Sequence, residues 1–190
     1  MAKTNTEFQL RGVNHLALVC RDMAQTVDFY SNVLGMPLTR TLELPGGTGQ
    51  HFFFDMGNGD SLAFFYFPGA PEPATGLSSP GGVPGLGELN PDEMITAVAS
   101  MHHVAFDISA ENIETYRRKL LDKGIEVGEI LNHDDSESQN SPVMHDGVYC
   151  RSLYFMDPNG ILLEFAAWTR EPTEADACVT PAQAATANAM

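Results

Sequence analysis

The chain has 190 residues, of which 43% are hydrophobic and 18% charged, a balance typical of a globular protein with one domain or two closely packed halves. Its formal net charge of −15 comes from 25 acidic and 10 basic residues, so nucleic acid and an anionic membrane surface would be repelled. Three widely spaced cysteines exclude a disulfide framework and a zinc knuckle. Because no apolar run suggests a membrane span or a secretory signal, we expect a cytoplasmic protein.

The first patterned stretch of the chain reads as a strand, a helix and three further strands. Residues 13–20 form an apolar strand-like run, and residues 22–35 carry apolar side chains at helical spacing as far as Gly35, where the predicted helix ends. Three more strand-like runs follow, at 37–44, 50–57 and 60–67. The Asn58-Gly59 pair is typical of a tight hairpin turn, so the last two runs are predicted to pair with each other.

A second stretch repeats the same order. Residues 101–108 read as a strand, and residues 110–124 read as an amphipathic helix that ends at Gly124. Three strands are predicted after this helix, at 125–131, 148–157 and 161–168. Residues 132–147 are predicted to form a long polar loop, and a Pro-Asn-Gly turn at 158–160 joins the last two strands.

The two stretches indicate an internal duplication, since unrelated halves rarely share element order and helix length. From His15 to Gly35 is 20 residues, and from His103 to Gly124 is 21. The predicted fold is therefore α+β, with two βαβββ modules in one domain.

The predicted domain covers residues 12–168, with module one at 12–68 and module two at 99–168. Residues 69–98 between the modules are rich in Pro, Gly and Ser, and this composition fits either a linker or a lid over a site. At the two ends we expect an N-terminal extension at 1–11 and a disordered, Ala-, Thr- and Pro-rich tail at 169–190.

Three potential metal ligands occupy notable places in the repeat. His15 and His103 are each third in the first strand of their module, and Glu164 lies in the last strand of module two. A carboxylate inside an apolar strand is costly to bury unless it is paired, and a cation would explain its position. Two imidazoles and one carboxylate form the facial triad that suits non-haem Fe(II). We therefore expect one divalent ion at these residues.

Two stretches of sequence carry a family resemblance. They are NHLALVCRDMAQTVDFYSNVLGM in module one and MHHVAFDI with LYFMDPNGILLEF in module two. Both resemble the vicinal-oxygen-chelate superfamily of glyoxalases, bleomycin-resistance proteins and extradiol dioxygenases. The resemblance implies that the two modules form an open, cup-shaped mixed sheet around a metal site. It also implies the same three ligands, His15, His103 and Glu164.

Within this superfamily, glyoxalase I and methylmalonyl-CoA epimerase carry a fourth protein ligand on the last strand of module one. The position that corresponds to Glu164 is Ala63 or Phe64, depending on how a one-residue difference in the turn is aligned. Neither side chain binds a metal. The remaining three-ligand pattern resembles extradiol dioxygenases and fosfomycin-resistance thiol transferases.

A longer pattern resembles the signature of extradiol ring-cleavage enzymes. It runs from Val143-x-His145 through Leu153-Tyr154 and Asp157-Pro158-x-Gly160 to Glu164. The resemblance implies that His145 and Tyr154 hydrogen-bond the substrate and oxygen-derived groups.

The chain departs from that family at the acid–base histidine, which is expected at the start of the last strand of module one. Asp60 stands nearest to that position and is the candidate base. His51 and His133 are spatial alternatives, whereas His102 is expected to point away from the site.

The resemblance implies a non-haem Fe(II) extradiol dioxygenase that cleaves a catechol-like aromatic compound with O₂. One alternative is another metal-dependent enzyme of this type, a lyase, isomerase or transferase, with Mn(II), Zn(II) or Ni(II). The other is a metal-free small-molecule binding protein with the same fold. The expected partners are a small aromatic or vicinal-dioxygen substrate, O₂, and further copies of the chain in a homo-oligomer such as a dimer, with neither nucleic acid nor membrane among them.

Overall fold

The computed structural model of the protein describes residue 7 and residues 10–71 and 101–181. The first module consists of strands β1 (His15–Cys20), β2 (Leu38–Glu43), β3 (Gln50–Gly57) and β4 (Asp60–Tyr66). Its helix is α-helical over Met23–Val27 (α1) and continues as a π-helix over Asp28–Val33. The side chain of Asp22 caps the N-terminus of α1 by accepting a hydrogen bond from the backbone N–H of Gln25. Gly35, at φ 78°, follows the helix as predicted.

The second module has the same order of elements. Its strands are β5 (Val104–Asp107), β6 (Leu131–His133), β7 (Cys150–Met156) and β8 (Leu162–Trp168). Helix α2 (Ile113–Asp122) lies between β5 and β6 and is preceded by a 3₁₀ turn at Ala110–Asn112. No helix in the described part of the chain is long and apolar enough to cross a membrane.

Each module forms its own four-stranded mixed sheet. The strand orders are β1-β4-β3-β2 and β5-β8-β7-β6, and the central pairings are the same in both sheets. In each, the first strand runs parallel to the last one, and the remaining pairs are antiparallel. This duplicated topology confirms the predicted α+β fold of two βαβββ modules, and neither sheet closes into a barrel.

The prediction of a strand at 125–131 is wrong over most of that range. Between Ile125 and Ile130 only a single bridge forms, from Val127 to Phe155, and β6 begins at Leu131, so that most of it lies in the segment predicted as loop. Polar groups explain this shift. The Asn132 side chain accepts a hydrogen bond from Arg151 and donates one to the backbone of Ser141, which anchors β6 against β7.

The two faces of each sheet differ in burial. In β1, Leu16, Leu18 and Cys20 point toward the helix, and the alternate residues His15, Ala17 and Val19 are exposed. We call the helix-covered side of each sheet the core face and the opposite side the cup face. The core faces of both sheets contribute to one buried hydrophobic cluster, which includes Phe54, Phe64, Phe155 and Leu163.

The modules are joined by contacts between the first helix and the β7–β8 turn. The fully buried Tyr30 donates a hydrogen bond from its hydroxyl to the Asp157 carboxylate at 3.2 Å. The backbone N–H of Arg21 donates to the side chain of Asn159 at 2.9 Å. Lys123, just after α2, bonds to the backbone carbonyls of Asn32 and Val33. The modules therefore pack through contacts that involve the first helix, the end of α2 and the β7–β8 turn.

The predicted N-terminal extension, the segment between the modules and the predicted tail lie partly outside the described residues. Residues 72–100 are among those outside, so the choice between a linker and a lid stays a prediction. The tail predicted as disordered contains a short 3₁₀ helix at Glu174–Ala177, whose capping box pairs Thr173 with Asp176. Asp176 also pairs with Arg170 at 2.6 Å, which ties this short helix to the residues after β8.

Candidate metal centre

His103 and Glu164 come together on the cup face of the second module. The Nε2 atom of His103 lies 2.7 Å from the Oε2 atom of Glu164. Glu164 lies in the middle of β8, between Ala105 on β5 and Tyr154 on β7, and is only 5% exposed. His103 directly precedes β5 at the edge of the same sheet. Two of the three predicted ligands are thus within reach of one ion.

The carboxylate of Glu164 is buried and ionised. Burial by itself raises the pKa of Glu164, but hydrogen bonds from His103, Ser152 and Tyr154 outweigh it and hold the pKa below its ordinary value. A buried carboxylate held in its charged form is a suitable ligand for a cation. The donor set of imidazole nitrogen and carboxylate oxygen is suited to a divalent transition metal, so the residues present fit such an ion.

Tyr154 is the neighbour of Glu164 across the β7–β8 pair. Its ring stands edge-on to that of His103, with centroids 5.7 Å apart. Burial, together with the negative charge of Glu164, raises the pKa of the Tyr154 phenol to about 12. The phenol is therefore neutral at physiological pH and serves as a hydrogen-bond donor beside the candidate centre.

His102 contacts the site, contrary to the expectation from strand alternation. Its Nδ1 atom lies 2.6 Å from the Nδ1 atom of His103. The reason is that residues 101–103 are irregular and β5 begins only at Val104, so neighbouring side chains do not alternate here. A bond at Nδ1 fixes the orientation of the His103 ring and leaves its Nε2 atom facing Glu164.

His15 lies on the cup face of the first module, apart from the other two predicted ligands. Its ring is edge-on to Phe53, with centroids 5.7 Å apart, and its Nδ1 atom is 2.8 Å from Oδ1 of Asn14. Within the residues that the structure describes, no three His, Cys, Asp or Glu side chains converge closely enough to hold a metal. A single chain therefore brings His103 and Glu164 together but not His15.

The strand register shows which residue of module one corresponds to Glu164. Glu164 pairs with Ala105 in the second sheet, and Ala63 pairs with Ala17 at the same point of the first sheet. Ala63 thus lies on the cup face, whereas Phe64 points into the core against Tyr30. Ala63, and not Phe64, is therefore the residue that corresponds to Glu164, and its side chain cannot bind a metal.

Aromatic side chains line the cup face of the first module. The His51 ring stacks on Phe65, with centroids 3.7 Å apart and planes at 12°, and it lies 4.3 Å from Phe53. Burial, with a further effect from His15, lowers the pKa of His51. Its Nε2 atom is buried and has no hydrogen-bond partner among the described residues. In contrast, Phe54 and Phe64 belong to the core.

Two of the residues predicted to be catalytic, His145 and Asp60, make no described contact with the His103–Glu164 pair. The His145 ring is 3.1 Å from Oδ2 of Asp134 and accepts a hydrogen bond from the backbone of Gly147, in the loop before β7. Asp60 begins β4 and, by strand alternation, shares the core-facing side of Leu62. Of the predicted catalytic residues, Tyr154 pairs with Glu164 in the strand register, and the catalytic roles of all three stay predictions.

Sequence reasoning missed Ser152, which lies two residues before Tyr154 on the same face of β7. Its Oγ atom lies 3.0 Å from Nε2 of His133, and its hydroxyl is one of the groups that lower the pKa of Glu164. The periodicity of β7 places Ser152 beside Tyr154. It does not show which side chain faces Ser152 from β6, because β6 itself was mispredicted.

Comparison with known proteins places this fold among its relatives. A curated protein of Arabidopsis thaliana described as Glyoxylase I 4 is 25% identical over 157 residues, which is 83% of this chain and 71% of that protein. A glyoxalase/dioxygenase structure from Nostoc punctiforme is 20% identical and covers 90% of this chain and 99% of its own, with a TM-score of 0.57.

The fosfomycin resistance protein FosX from Listeria monocytogenes, solved with Mn(II) and sulfate, is 17% identical, with 84% and 95% coverage and a TM-score of 0.52. At these identities the solved structures support the fold. The family model described as the Glyoxalase/Bleomycin resistance protein/Dioxygenase superfamily matches residues 12–165. This match, the duplicated topology and the strand register together show that the chain belongs to that superfamily.

Proposed function

We propose that the protein is a metal-dependent enzyme that activates a small substrate with two adjacent oxygen atoms. The observation that carries the proposal is the buried, ionised Glu164, whose carboxylate lies 2.7 Å from the His103 ring on an open cup face. A divalent ion at this point would supply Lewis acidity and hold the substrate oxygens in place. His15, His103 and Glu164 are the residues that would bind the ion.

The third ligand, in this proposal, comes from a second copy of the chain. Large apolar side chains are exposed on both cup faces, with Val19 53%, Phe67 38% and Trp168 61% exposed. Exposed apolar surface of this kind marks an interface. A two-fold dimer would place the partner subunit's His15 opposite His103 and Glu164, and the reciprocal site would form at the same time.

The residues around the proposed centre have separate roles. Tyr154 lies next to Glu164 across β7–β8, and its phenol would orient a substrate oxygen there. The aromatic residues on the first-module cup face, Phe53 and Phe65, would contribute an apolar wall that excludes water and packs against a planar substrate. Neither orienting a substrate oxygen nor forming the apolar wall requires these side chains to gain or lose a proton.

The specific reaction that we propose is extradiol cleavage of a catechol-like compound by O₂ with Fe(II). It is supported by the signature that ends in Tyr154 and Glu164 and by the three-ligand set, since Ala63 replaces a fourth ligand. The proposed location is the cytoplasm, where Fe(II) stays reduced.

A second reaction class on the same centre is favoured by another observation. Asp60, the candidate base of a ring-cleaving enzyme, shares the core-facing side of β4 with Leu62, and His145 is engaged by Asp134. A lyase, isomerase or transferase with Mn(II), Zn(II) or Ni(II) would not depend on these two residues.

The test is metal analysis of anaerobically purified protein, followed by oxygen uptake with a panel of catechols. Ring cleavage predicts about one iron per site and catechol-dependent oxygen uptake, with Glu164→Ala as the inactive control. A bound metal without oxygen uptake would favour the second class of reaction. Protein that takes up no divalent ion at all would contradict the whole proposal and leave the metal-free binding protein.

A further inference from the structure

We propose that the substrate of the candidate metal centre carries a second aromatic ring, fused or bonded to the ring that bears the two adjacent oxygen atoms. The site for this second ring is a row of aromatic side chains on the cup face of module one. The inference rests on the proposed metal-dependent function and deepens it, because it names the class of substrate.

The aromatic row begins at the proposed ligand His15. The His15 ring is edge-on to the ring of Phe53, although the two residues belong to β1 and β3, which are not neighbours in the sheet. The strand between them is β4, where Ala63 pairs with Phe53. The small side chain of Ala63 leaves room for the two rings to meet above this strand. The residue at the position of Glu164 therefore opens a path from His15 to the other aromatic side chains.

The rest of the aromatic row is formed by stacked rings. The centroid of the His51 ring lies 4.3 Å from that of Phe53, two residues further along β3. Across β3–β4, His51 pairs with Phe65 and stacks on its ring. The Phe65 ring is in turn nearly parallel to that of Phe67, at 4°, with centroids 5.6 Å apart. The row thus runs along both strands and ends at Phe67, which is 38% exposed.

The stacked rings present their edges to a ligand in the cup. The faces of His51 and Phe65 cover each other, so a ligand that lies on this part of the row meets ring edges. The edge of an aromatic ring is electropositive and packs well against the electron-rich face of another aromatic ring. A single ring held at His15 can lie against Phe53. Contact with the outer end of the row, at Phe65 and Phe67, requires a second ring.

Module two has small side chains where module one has the centre of the row. Ser152 pairs with Ala166 in the second sheet as His51 pairs with Phe65 in the first, and this pair lies one step along the cup face from Glu164. The second module therefore leaves space beside its ligand, and the first module provides an aromatic surface. A substrate that extends beyond one ring makes use of both features.

The experiment compares the binding of catechol and of 2,3-dihydroxynaphthalene to the full chain loaded with Mn(II), measured by anaerobic titration calorimetry. Both probes offer the same pair of adjacent oxygen atoms, and only the second has an additional ring. The dissociation constants can be measured directly, because O₂ is absent. Wild-type protein should bind the two-ring diol about tenfold more tightly or better, since two aromatic contacts of ordinary strength are added.

Two substitutions test the row itself. Phe67→Leu and Phe65→Leu each remove one ring and keep an apolar side chain. Each should reduce the preference for the two-ring diol about 3–10-fold, with a smaller change in the affinity for catechol. Phe65→Tyr keeps the ring and should retain the preference. The matched control is Tyr149→Leu, which removes an aromatic ring of module two that lies against Arg170 and outside the row.

The outcomes separate this inference from the proposed function. Wild-type protein that takes up no Mn(II) or binds neither diol would contradict the proposed function, and the substrate class with it. Equal affinity for the two diols would overturn the substrate class alone. If Phe67→Leu weakens the binding of both diols equally and lowers the dimer fraction in size-exclusion chromatography, Phe67 serves the contact between subunits and the inference is overturned. If Phe65→Leu fails to fold, the surface variant Phe67→Leu decides, and an unchanged preference in that variant overturns the inference.

Discussion

The side chains of His103 and Glu164 meet at the edge of the second sheet, with the Nε2 and Oε2 atoms 2.7 Å apart. Glu164 pairs with Ala105 on β5, and His103 lies two residues before this partner, just ahead of the strand. Two ligands on one ion, each at about 2.1 Å, stand roughly 3 Å from each other. The pair can therefore admit a metal with little movement.

Mixing two inactive variants should restore metal binding if the partner subunit supplies His15. His15→Ala and Glu164→Ala homodimers each lack one ligand in both sites. A heterodimer of the two has one intact site, because the Glu164→Ala chain brings His15 and the His15→Ala chain brings His103 and Glu164. Random exchange makes about half of the dimers mixed, so roughly one ion per four chains should bind. The measurement is metal stoichiometry after co-refolding.

Absence of binding in the mixed sample, with mixed dimers verified by mass spectrometry, would place all ligands within one chain. The control mixes His103→Ala with Glu164→Ala. Both of these residues come from the same module, so each site in their heterodimer lacks one ligand, and the mixed sample should remain empty.

Substituting Tyr154 or His145 should affect turnover more than metal retention. Tyr154→Phe removes the phenol beside Glu164, and His145→Ala removes a loop imidazole held by Asp134. For each we expect the ion to remain and turnover on the true substrate to fall about 10²–10⁴-fold. Tyr116→Phe, on the core side against Phe165, is the matched control.

The measurements are the metal content and the kcat of each variant, which together separate a loss of turnover from a loss of metal. If His145→Ala empties the site, His145 is a ligand. If both variants keep full turnover, ring cleavage loses its support and the second reaction class becomes the better explanation.

Tyr30 should make the stability of the protein fall at alkaline pH. Burial, and then the negative charge of Asp157, raises the pKa of Tyr30 well above its ordinary value. Above pH 10 the unfolded chain loses a proton that the folded chain keeps. Stability then falls by about 1.4 kcal/mol per pH unit from this group. Below pH 10 both states are protonated, and its contribution is fully present.

Urea unfolding of Tyr30→Phe tests this directly. Near neutral pH the variant should be less stable by about 1–3 kcal/mol, because the hydrogen bond to Asp157 is lost. The difference between wild type and variant should shrink above pH 10. A difference that stays constant to pH 11 would mean that Tyr30 ionises normally in the folded protein.

Deleting residues 171–190 should change the melting temperature by only a few degrees. The ion pair between Arg170 and Asp176 and the 3₁₀ helix at Glu174–Ala177 lie at the surface, where salt and water weaken such contacts. Arg170→Gln in the full chain separates the ion pair from the rest of the tail. A loss of activity in the deletion with an unchanged melting temperature would show that the tail reaches the cup of a partner.

The fold follows from the sequence further than the site does. Strand β3 agrees with the predicted run at both ends, 50–57, because apolar residues and a glycine turn bound it clearly. The misplaced β6 lacks such a pattern, since the side-chain bonds of Asn132 hold it rather than apolar alternation. Strand alternation predicts that His102 points away, but β5 begins only at Val104, and the contact of Ser152 could not be predicted because its partner His133 lies on β6.

The internal repeat does not predict how far His15 lies from His103 and Glu164. Each copy of the repeat indicates a sheet with one polar position on its cup face. Nothing in the periodicity of a module says which other cup face it opposes, because that depends on how the helices of the two modules pack. Here the bond from Tyr30 to Asp157 is part of that packing.

Residues from both modules form one hydrophobic core. A single copy of the chain therefore buries this core without help from a partner subunit. Folding and completion of the proposed centre are then separate equilibria, and only the second depends on protein concentration. Progressive dilution should leave the circular dichroism spectrum unchanged while specific activity decays toward zero. In a cell, the amount of active enzyme would rise with the square of chain abundance at low expression, so modest changes in synthesis would act as a steep control on flux.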